Sequence, residues 1–155
     1  MKPPALDPAS LPGRKGTGYP PPFATRLKER EKRFLGRALG LNNFGVNLVR
    51  LPPGAISSQR HWHEKQDEFV YILEGELVLV TDAGEQVLKA GMCAGFPAGV
   101  PDGHHMINRS AAEAAYLEVG DRTANDVGHY PDIDLAARAP DGMKYAFTRK
   151  DGTPY

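Results

Sequence analysis

The sequence predicts an all-β protein, either a sandwich or a barrel, and two observations support that prediction. Between residues 44 and 120, short runs of β-branched and aromatic residues recur at intervals of roughly 8–12 residues, separated by turns rich in Gly, Pro and Asp. Several of these runs, such as residues 69–73, are apolar at every position, which is typical of strands covered on both faces. The two patterns together favour a closed barrel.

The predicted strands follow one another from residue 44 onwards. The first ends at Pro52-Pro53-Gly54, and later strands are separated by turns at Glu74-Gly75, at Asp82-Ala83-Gly84 and at Ala90-Gly91. We predict strands over residues 44–51, 56–63, 68–73, 76–81, 86–88, 92–96, 104–108 and 114–119.

The flanking segments carry weaker signals. Residues 1–22 hold seven of the 14 prolines, so we expect a Pro-rich arm that is either disordered or extended over the barrel or a partner subunit. Residues 24–39 fit an apolar helical stripe or an edge strand with a turn, and the β-rich sequence that follows favours the strand. The predicted organisation is an arm (1–22), a barrel (23–120) and an irregular C-terminal tail packing on the barrel (121–155), with a short strand at 144–148.

Composition limits the class of protein. A chain of 155 residues with 41 % hydrophobic content suits one domain. A formal net charge of zero gives no reason to expect a nucleic-acid or membrane surface. No run approaches the roughly 18 apolar residues of a membrane helix, the N-terminus does not resemble a secretory signal, and the one cysteine, Cys93, cannot form an intrachain disulfide. We therefore expect a cytoplasmic protein with a small-molecule ligand or substrate.

The histidines predict a metal site. Four of the five fall in two pairs, His61 with His63 and His104 with His105. Residues two apart on a strand share one face, with Cβ atoms roughly 6–7 Å apart, so two imidazoles at that spacing can bind one ion. Glu68, at the start of the next predicted strand, could add a carboxylate. Imidazole and carboxylate ligands suit a divalent transition metal such as Fe, Mn, Ni or Zn better than calcium.

The spacing of these residues resembles the two sequence motifs of the cupin superfamily. The first motif has Gly, five residues, His-x-His, three or four residues, Glu, six residues and Gly, and the second ends with His, three residues and Asn. The matching positions are Gly54, His61, His63, Glu68 and Gly75 for the first, and Gly91, Pro97, Gly99, His104 and Asn108 for the second. The chain is similar to single-domain bacterial cupins, some of which are labelled sugar-phosphate isomerases.

The resemblance implies a double-stranded β-helix, that is, a jelly-roll barrel, with His61, His63, Glu68 and a third histidine as metal ligands. It also implies a homodimer. Two extra residues follow Gly99 relative to the motif, which leaves the third histidine open between His104 and His105. Counting back from Asn108, together with strand parity, favours His104.

The sequence leaves the chemistry open. By parity, the barrel-facing neighbours of the ligands include Gln59, Met106 and Asn108, which are candidate substrate contacts, and none of these neighbours is Lys or Arg. That pattern favours a partly apolar substrate and an oxygenase, such as a dioxygenase, over a sugar-phosphate isomerase. We expect a metalloenzyme acting on a small organic molecule, by oxygenase or isomerase chemistry. The alternative is a non-catalytic binding or sensing protein. No catalytic residue is assigned.

Overall fold

The structure, a computed structural model, describes residues 4–155 and confirms the all-β prediction. Its only α-helix in that range is a single turn, α1 (Leu35–Ala38), and 3-10 turns occur at Pro8–Ser10, Pro21–Phe23 and Thr25–Leu27. Within the same range, no helix has the length and apolar character needed to cross a membrane. The strands are β1 (Arg14–Lys15), β2 (Glu31–Arg33), β3 (Phe44–Leu51), β4 (Trp62–His63), β5 (Glu68–Glu74), β6 (Glu76–Thr81), β7 (Gly84–Lys89), β8 (Cys93–Phe96), β9 (His105–Ile107), β10 (Ala114–Asp121), β11 (Asp126–His129), β12 (Ala136–Ala139) and β13 (Ala146–Thr148).

The strands form three antiparallel sheets. The largest has the order β1-β2-β3-β10-β5-β8, the second β13-β12-β11-β4, and the third β7-β6-β9. Isolated bridges between Ile56 and Ile107 and between His61 and His104 connect the segment before β4 to β9 and the residue preceding it. Among the described residues, half of the ten neighbouring pairs, such as β3 with β10 and β4 with β11, join strands that are not consecutive in the chain, as expected for the jelly-roll predicted here.

The main core lies on the inner face of the large sheet. Leu51 and Ile72 are fully buried there and pack with Leu77 of β6, which is also fully buried; each such side chain contributes roughly 1.5–3 kcal/mol through burial. Because successive strand residues point to opposite faces, the alternation along β5 directs Ile72 inward and Phe69 and Tyr71 outward. The outward residues are 40 % and 39 % exposed. The expectation that both faces of this strand are covered therefore does not hold within the single chain.

The described part of the N-terminal arm is ordered against the barrel. Strand β1 pairs with β2, and the Tyr19 ring packs against the rings of Tyr130 and Phe147, with centroids 5.8 and 5.3 Å apart. Of the two expectations for this arm, residues 4–22 fit the extended arm, and residues 1–3 lie outside the described residues. The ambiguous segment 24–39 contains both an edge strand, β2, and the helical turn α1.

The C-terminal segment is more regular than the irregular tail that we expected. It contains β11 and β12 as well as β13, which corresponds to the short strand predicted at 144–148. Strand β11 pairs with β4, placing His129 opposite Trp62 and Gly128 opposite His63. Strands such as Ala136–Ala139 consist of small and charged residues without hydrophobic alternation, so pairing with neighbouring strands, and not local preference, decides their structure.

Candidate metal centre and its cavity

Three histidines meet at the junction of β4 and β9. The amide of His61 donates to the carbonyl of His104 (3.2 Å), and the amide of His104 donates to the carbonyl of His61 (2.9 Å). This bridge brings the two rings to 4.9 Å between centroids, and the His63 ring lies 5.0 Å from that of His61. The neighbouring His105 instead hydrogen-bonds the carbonyl of Ser58 through Nδ1 (3.0 Å).

Glu68 opens β5 on its inner face and lies among the three rings. Its Oε2 is 2.8 Å from Nε2 of His104 and 3.4 Å from Nε2 of His61, while its Oε1 is 3.6 Å from Nε2 of His63. The candidate ligand atoms of His61, Glu68 and His104 all lie within 4.8 Å of one another. His63 approaches this group on the Oε1 side of Glu68.

Each of the three rings turns Nε2 towards Glu68, because Nδ1 contacts an oxygen atom of another residue. Nδ1 of His61 is 2.8 Å from the carbonyl of Gln59, and Nδ1 of His104 is 3.4 Å from the carbonyl of Asp102. Nδ1 of His63 is 2.6 Å from a carboxylate oxygen of Asp126. Such acceptors favour a proton on Nδ1 and leave the Nε2 lone pair free, which is the tautomer a metal requires. The donor set therefore fits a divalent transition metal.

The pKa shifts of Glu68 and His104 agree with this interpretation, whereas burial would lower the pKa of His63 but the hydrogen bond with Asp126 and the charge of Glu68 raise it. Burial alone would raise the pKa of Glu68, but the surrounding His61, His104 and His63 hold that pKa well below its usual range. Burial lowers the pKa of His104. An ionised carboxylate beside a neutral imidazole is the form in which both groups bind metals.

Asp126 supports His63 and was not identified from the sequence. Asp126 is 1 % exposed. Its Oδ2, which contacts Nδ1 of His63, also accepts a hydrogen bond from the Tyr145 hydroxyl at 2.7 Å. Burial would raise the pKa of Asp126, but the hydrogen bonds from His63 and Tyr145 keep it at about 2. Asp67, which lies beside Glu68 in the chain, accepts instead from the amide of Ala98 (2.7 Å). The segment that holds Asp126 carries no pattern that points to the histidines.

The candidate centre opens into a cavity of about 710 Å³. Aromatic rings cover the histidines on its walls: Phe96 stacks on His104 with centroids 3.6 Å apart, and Tyr130 stacks on His61 at 5.7 Å. These contacts fix the ring planes, and a cavity of this size can enclose a small organic molecule.

The cavity wall is charged, contrary to the expectation from strand parity. Among the described residues, five Lys or Arg side chains and three carboxylates line it. The cations are Arg30, Lys32, Arg37, Arg122 and Lys144, and the carboxylates are Glu68, Glu118 and Asp121. Lys32 reaches the wall from β2, which precedes the motif region, and contacts Glu118 at 2.5 Å. Parity within the motif strands cannot reveal cations supplied by another strand.

The three candidate substrate contacts have different positions. Met106 lies on the cavity wall and is 3 % exposed. The Gln59 amide donates to the carbonyl of Phe23 (2.8 Å). Asn108 is fully buried, and its amide donates to the carbonyls of Leu51 and Ala112 (2.7 and 2.8 Å). Of these candidates, the structure brings only Met106 to the cavity with the four predicted ligands.

Comparisons with known proteins agree with the motif resemblance. The Cupin domain family matches residues 47–120. The crystal structure of a sugar phosphate isomerase from a cupin superfamily, from Silicibacter pomeroyi, is 49 % identical, with a TM-score of 0.91 over 97 % of this chain and 96 % of that one. A protein from Acidithiobacillus ferrooxidans is 26 % identical, with a TM-score of 0.72 over 82 % and 80 %.

More distant structures share the fold alone. A predicted oxalate decarboxylase from Thermotoga maritima is 22 % identical, with a TM-score of 0.60 over 76 % of this chain and 97 % of that one. No curated protein is significantly similar to this chain. The strand topology, the two motifs and the relative with 49 % identity lead to one conclusion: the chain belongs to the cupin superfamily.

Proposed function

We propose that this protein is a metal-dependent enzyme acting on a small organic substrate, with His61, His63, Glu68 and His104 holding one divalent transition metal. The observation that carries the proposal is the convergence of three Nε2 atoms and a carboxylate at the wall of a cavity of about 710 Å³. A bound metal would polarise a substrate oxygen or bind O₂.

Isomerase chemistry is the reaction class that the cavity favours. Its five Lys or Arg side chains suit an anionic substrate better than the apolar one inferred from strand parity. The relative with 49 % identity is described as a sugar phosphate isomerase, which supports the same class. We therefore rank a sugar-phosphate isomerase above an oxygenase for this chain.

Isomerisation also requires a group that moves a proton, and Glu118 is our candidate. In the register of β10 with β5, Glu118 lies opposite Val70 and Gly120 lies opposite Glu68. Glu118 is therefore the diagonal neighbour of Glu68 on the inner face, and the backbones of such neighbours are roughly 7–8 Å apart. Burial would raise the pKa of Glu118, but the ammonium of Lys32 lowers it, so the carboxylate is available as a base at neutral pH. Glu118→Gln should retain the metal and lose turnover.

We further propose a homodimer and a cytoplasmic location. Phe69, Tyr71 and Leu73 project from the outer face of β5 and are 39–41 % exposed, and an apolar row of this kind suits a subunit interface. Cys93 pairs with Tyr71 across β8 and β5 and is an exposed, free thiol, which fits a reducing compartment.

The function is tested first by elemental analysis of tag-free protein purified without chelators. We expect close to one metal ion per chain in the wild type and in the control variant His129→Ala, whose imidazole bonds Glu64 outside the centre (2.8 Å). His61→Ala should lose most of the metal while keeping its far-UV circular dichroism spectrum.

The metal then selects the assays. Bound iron leads to oxygen-consumption measurements, whereas zinc, manganese or nickel leads to isomerisation assays with a panel of sugar phosphates. A wild-type protein that binds no metal, even after reconstitution, contradicts the proposal and leaves a non-catalytic binding or sensing barrel.

A further inference from the structure

Three polar side chains meet on the inner face of the large sheet, and we call them the polar triad. They are Lys32 of β2, Asn47 of β3 and Glu118 of β10, and all three line the cavity of the candidate metal centre. Oε1 of Glu118 accepts from the ammonium of Lys32 (2.5 Å) and from the side-chain amide of Asn47 (2.8 Å). Because both donors reach the same oxygen, the three polar ends lie close together on one part of the cavity wall.

The polar triad retains atoms that the folded chain does not use. Within residues 4–155, Oε2 of Glu118 and Oδ1 of Asn47 accept no hydrogen bond, and the ammonium of Lys32 uses one of its three donors. Neither oxygen is buried without a partner, so both expose surface. The side chains of Lys32 and Glu118 are 19 % and 27 % exposed. Since all three residues line the cavity, a ligand in the cavity can reach these atoms.

The chemistry of the remaining atoms determines which group fits them. The two oxygens of Glu118 and Asn47 are acceptors that need a donor, which an ionised phosphate or carboxylate oxygen cannot supply. The Glu118 carboxylate would also repel an anion. The ammonium of Lys32 needs an acceptor, and its charge balances that of Glu118. A hydroxyl group is uncharged and both donates and accepts, so adjacent hydroxyl groups match the polar triad.

We propose that the polar triad is a subsite for neighbouring hydroxyl groups of a polyhydroxylated substrate. Glu118 is the diagonal neighbour of Glu68 across β10 and β5, so the subsite adjoins the candidate metal centre. An anionic group of the same substrate would bind elsewhere in the cavity, away from the Glu118 carboxylate. The inference rests on the proposed function, because it assigns one part of the same cavity to one part of the substrate.

Two phosphate esters of equal charge and chain length test the subsite, because they differ only in their hydroxyl groups. They are propyl phosphate and the glycerol phosphate whose two hydroxyls lie on adjacent carbons. In calorimetric titration of the wild type, glycerol phosphate should bind roughly tenfold or more tightly, since its hydroxyls form hydrogen bonds to charged groups. Neither ester has a carbonyl group, so no isomerisation accompanies binding. Equal affinities, or no binding of either ester, would overturn the inference.

Substitutions within the polar triad should reduce this preference for glycerol phosphate. Asn47→Leu removes the amide, keeps a branched side chain and leaves the ion pair of Lys32 with Glu118 in place, so it should fold and lose most of the preference. Glu118→Gln turns the unused acceptor into a donor and should also reduce it. The control Lys144→Met removes a cation that lines the cavity outside the triad and should leave the preference unchanged. A preference that both triad variants retain in full contradicts the proposal.

Repeating the titrations with His61→Ala separates this inference from the proposed function. A preference that persists in His61→Ala and is lost in Asn47→Leu supports the subsite, even if elemental analysis finds no metal in the wild type. A preference that disappears in His61→Ala and is unchanged in Asn47→Leu overturns the subsite, because a metal and not the polar triad would then bind the hydroxyl groups.

Discussion

Replacing Asp126 by Asn should weaken metal binding, although Asp126 is not a predicted ligand and acts through His63. Oδ2 of Asp126 accepts from Nδ1 of His63 (2.6 Å) and from the Tyr145 hydroxyl (2.7 Å), and Oδ1 accepts from the amide of Lys65 (2.8 Å). Asn can keep the bond to Lys65, but its NH₂ group then faces Nδ1 of His63. His63 must move its proton to Nε2 to accept that bond, and a protonated Nε2 cannot bind a metal.

The structure sets the magnitude of two effects. Loss of a partner that orients a ligating histidine typically reduces metal affinity by roughly 10–100-fold. The metal-free protein should also become less stable, because holding the pKa of Asp126 at about 2 instead of 3.8 corresponds to roughly 2 kcal/mol at neutral pH. In a protein of this size that is a fall in Tm of about 4–8 °C.

The sign of the pH dependence follows from the lowered pKa. The stabilisation by Asp126 is complete above its ordinary pKa of 3.8 and is lost as the pH falls towards about 2. The unfolding free energy of the metal-free wild type should therefore fall in that acid range more steeply than that of Asp126→Asn.

Competition with a chelator of known affinity measures the first effect, and thermal unfolding of the metal-free proteins measures the second. The control is Asp67→Asn, because the Asp67 carboxylate accepts from the amide of Ala98 (2.7 Å) and contacts no histidine. If Asp126→Asn binds the metal as tightly as the wild type, then Asp126 does not set the tautomer of His63, and its bond to Nδ1 does not control metal binding.

Three further predictions concern stability and assembly. Asn108→Ala should lower the free energy of unfolding by roughly 2–4 kcal/mol, measured in urea, because the buried amide donates to two carbonyls; a loss below about 1 kcal/mol would leave room for a role in substrate binding. Lys32→Met should be more destabilising than the double variant Lys32→Met/Glu118→Gln, since the single change leaves a partly buried carboxylate with the Asn47 amide but without its cation; additive effects in the double-mutant cycle would contradict this coupling. Tyr71→Lys should convert the proposed homodimer to a monomer in light scattering, whereas the control Val87→Lys, at an exposed apolar residue of another sheet, should not; a dimeric Tyr71→Lys protein would place the interface elsewhere.

The strand positions and the grouping of His61, His63, Glu68 and His104 could be anticipated from the sequence, because both depend on short-range patterns. His61 and His63 share a face through the two-residue period of a strand, and the bridge between His61 and His104 fits the parity that favoured His104 over His105. Parity was less informative at the ends of strands. Gln59 and Asn108 were expected to face the barrel, but their amides bond backbone carbonyls instead. Segments 56–63 and 104–108 form isolated bridges over part of their length, and alternation is not maintained there.

The residues that the sequence did not indicate lie far along the chain from the histidines. Asp126 and Tyr145 come from the segment expected to be an irregular tail, and Arg30 and Lys32 come from the ambiguous segment before the motifs. Asp126 reaches the site because β11 pairs with the distant strand β4, and Lys32 reaches it because β2 pairs with β3. A single sequence contains no record of these long-range pairings, because small or charged residues in short strands have little local preference.

The sequence by itself determined the fold class and the chemistry of the candidate ligands, since hydrophobic alternation, turn residues and histidine spacing are local properties. Only the tertiary structure decided the character of the cavity. It brought cations such as Arg30 and Lys32 from the N-terminal region to the wall of a cavity to which the motif strands supply none. Substrate charge depends on which distant strands share one cavity wall, and that arrangement exists only after the chain has folded.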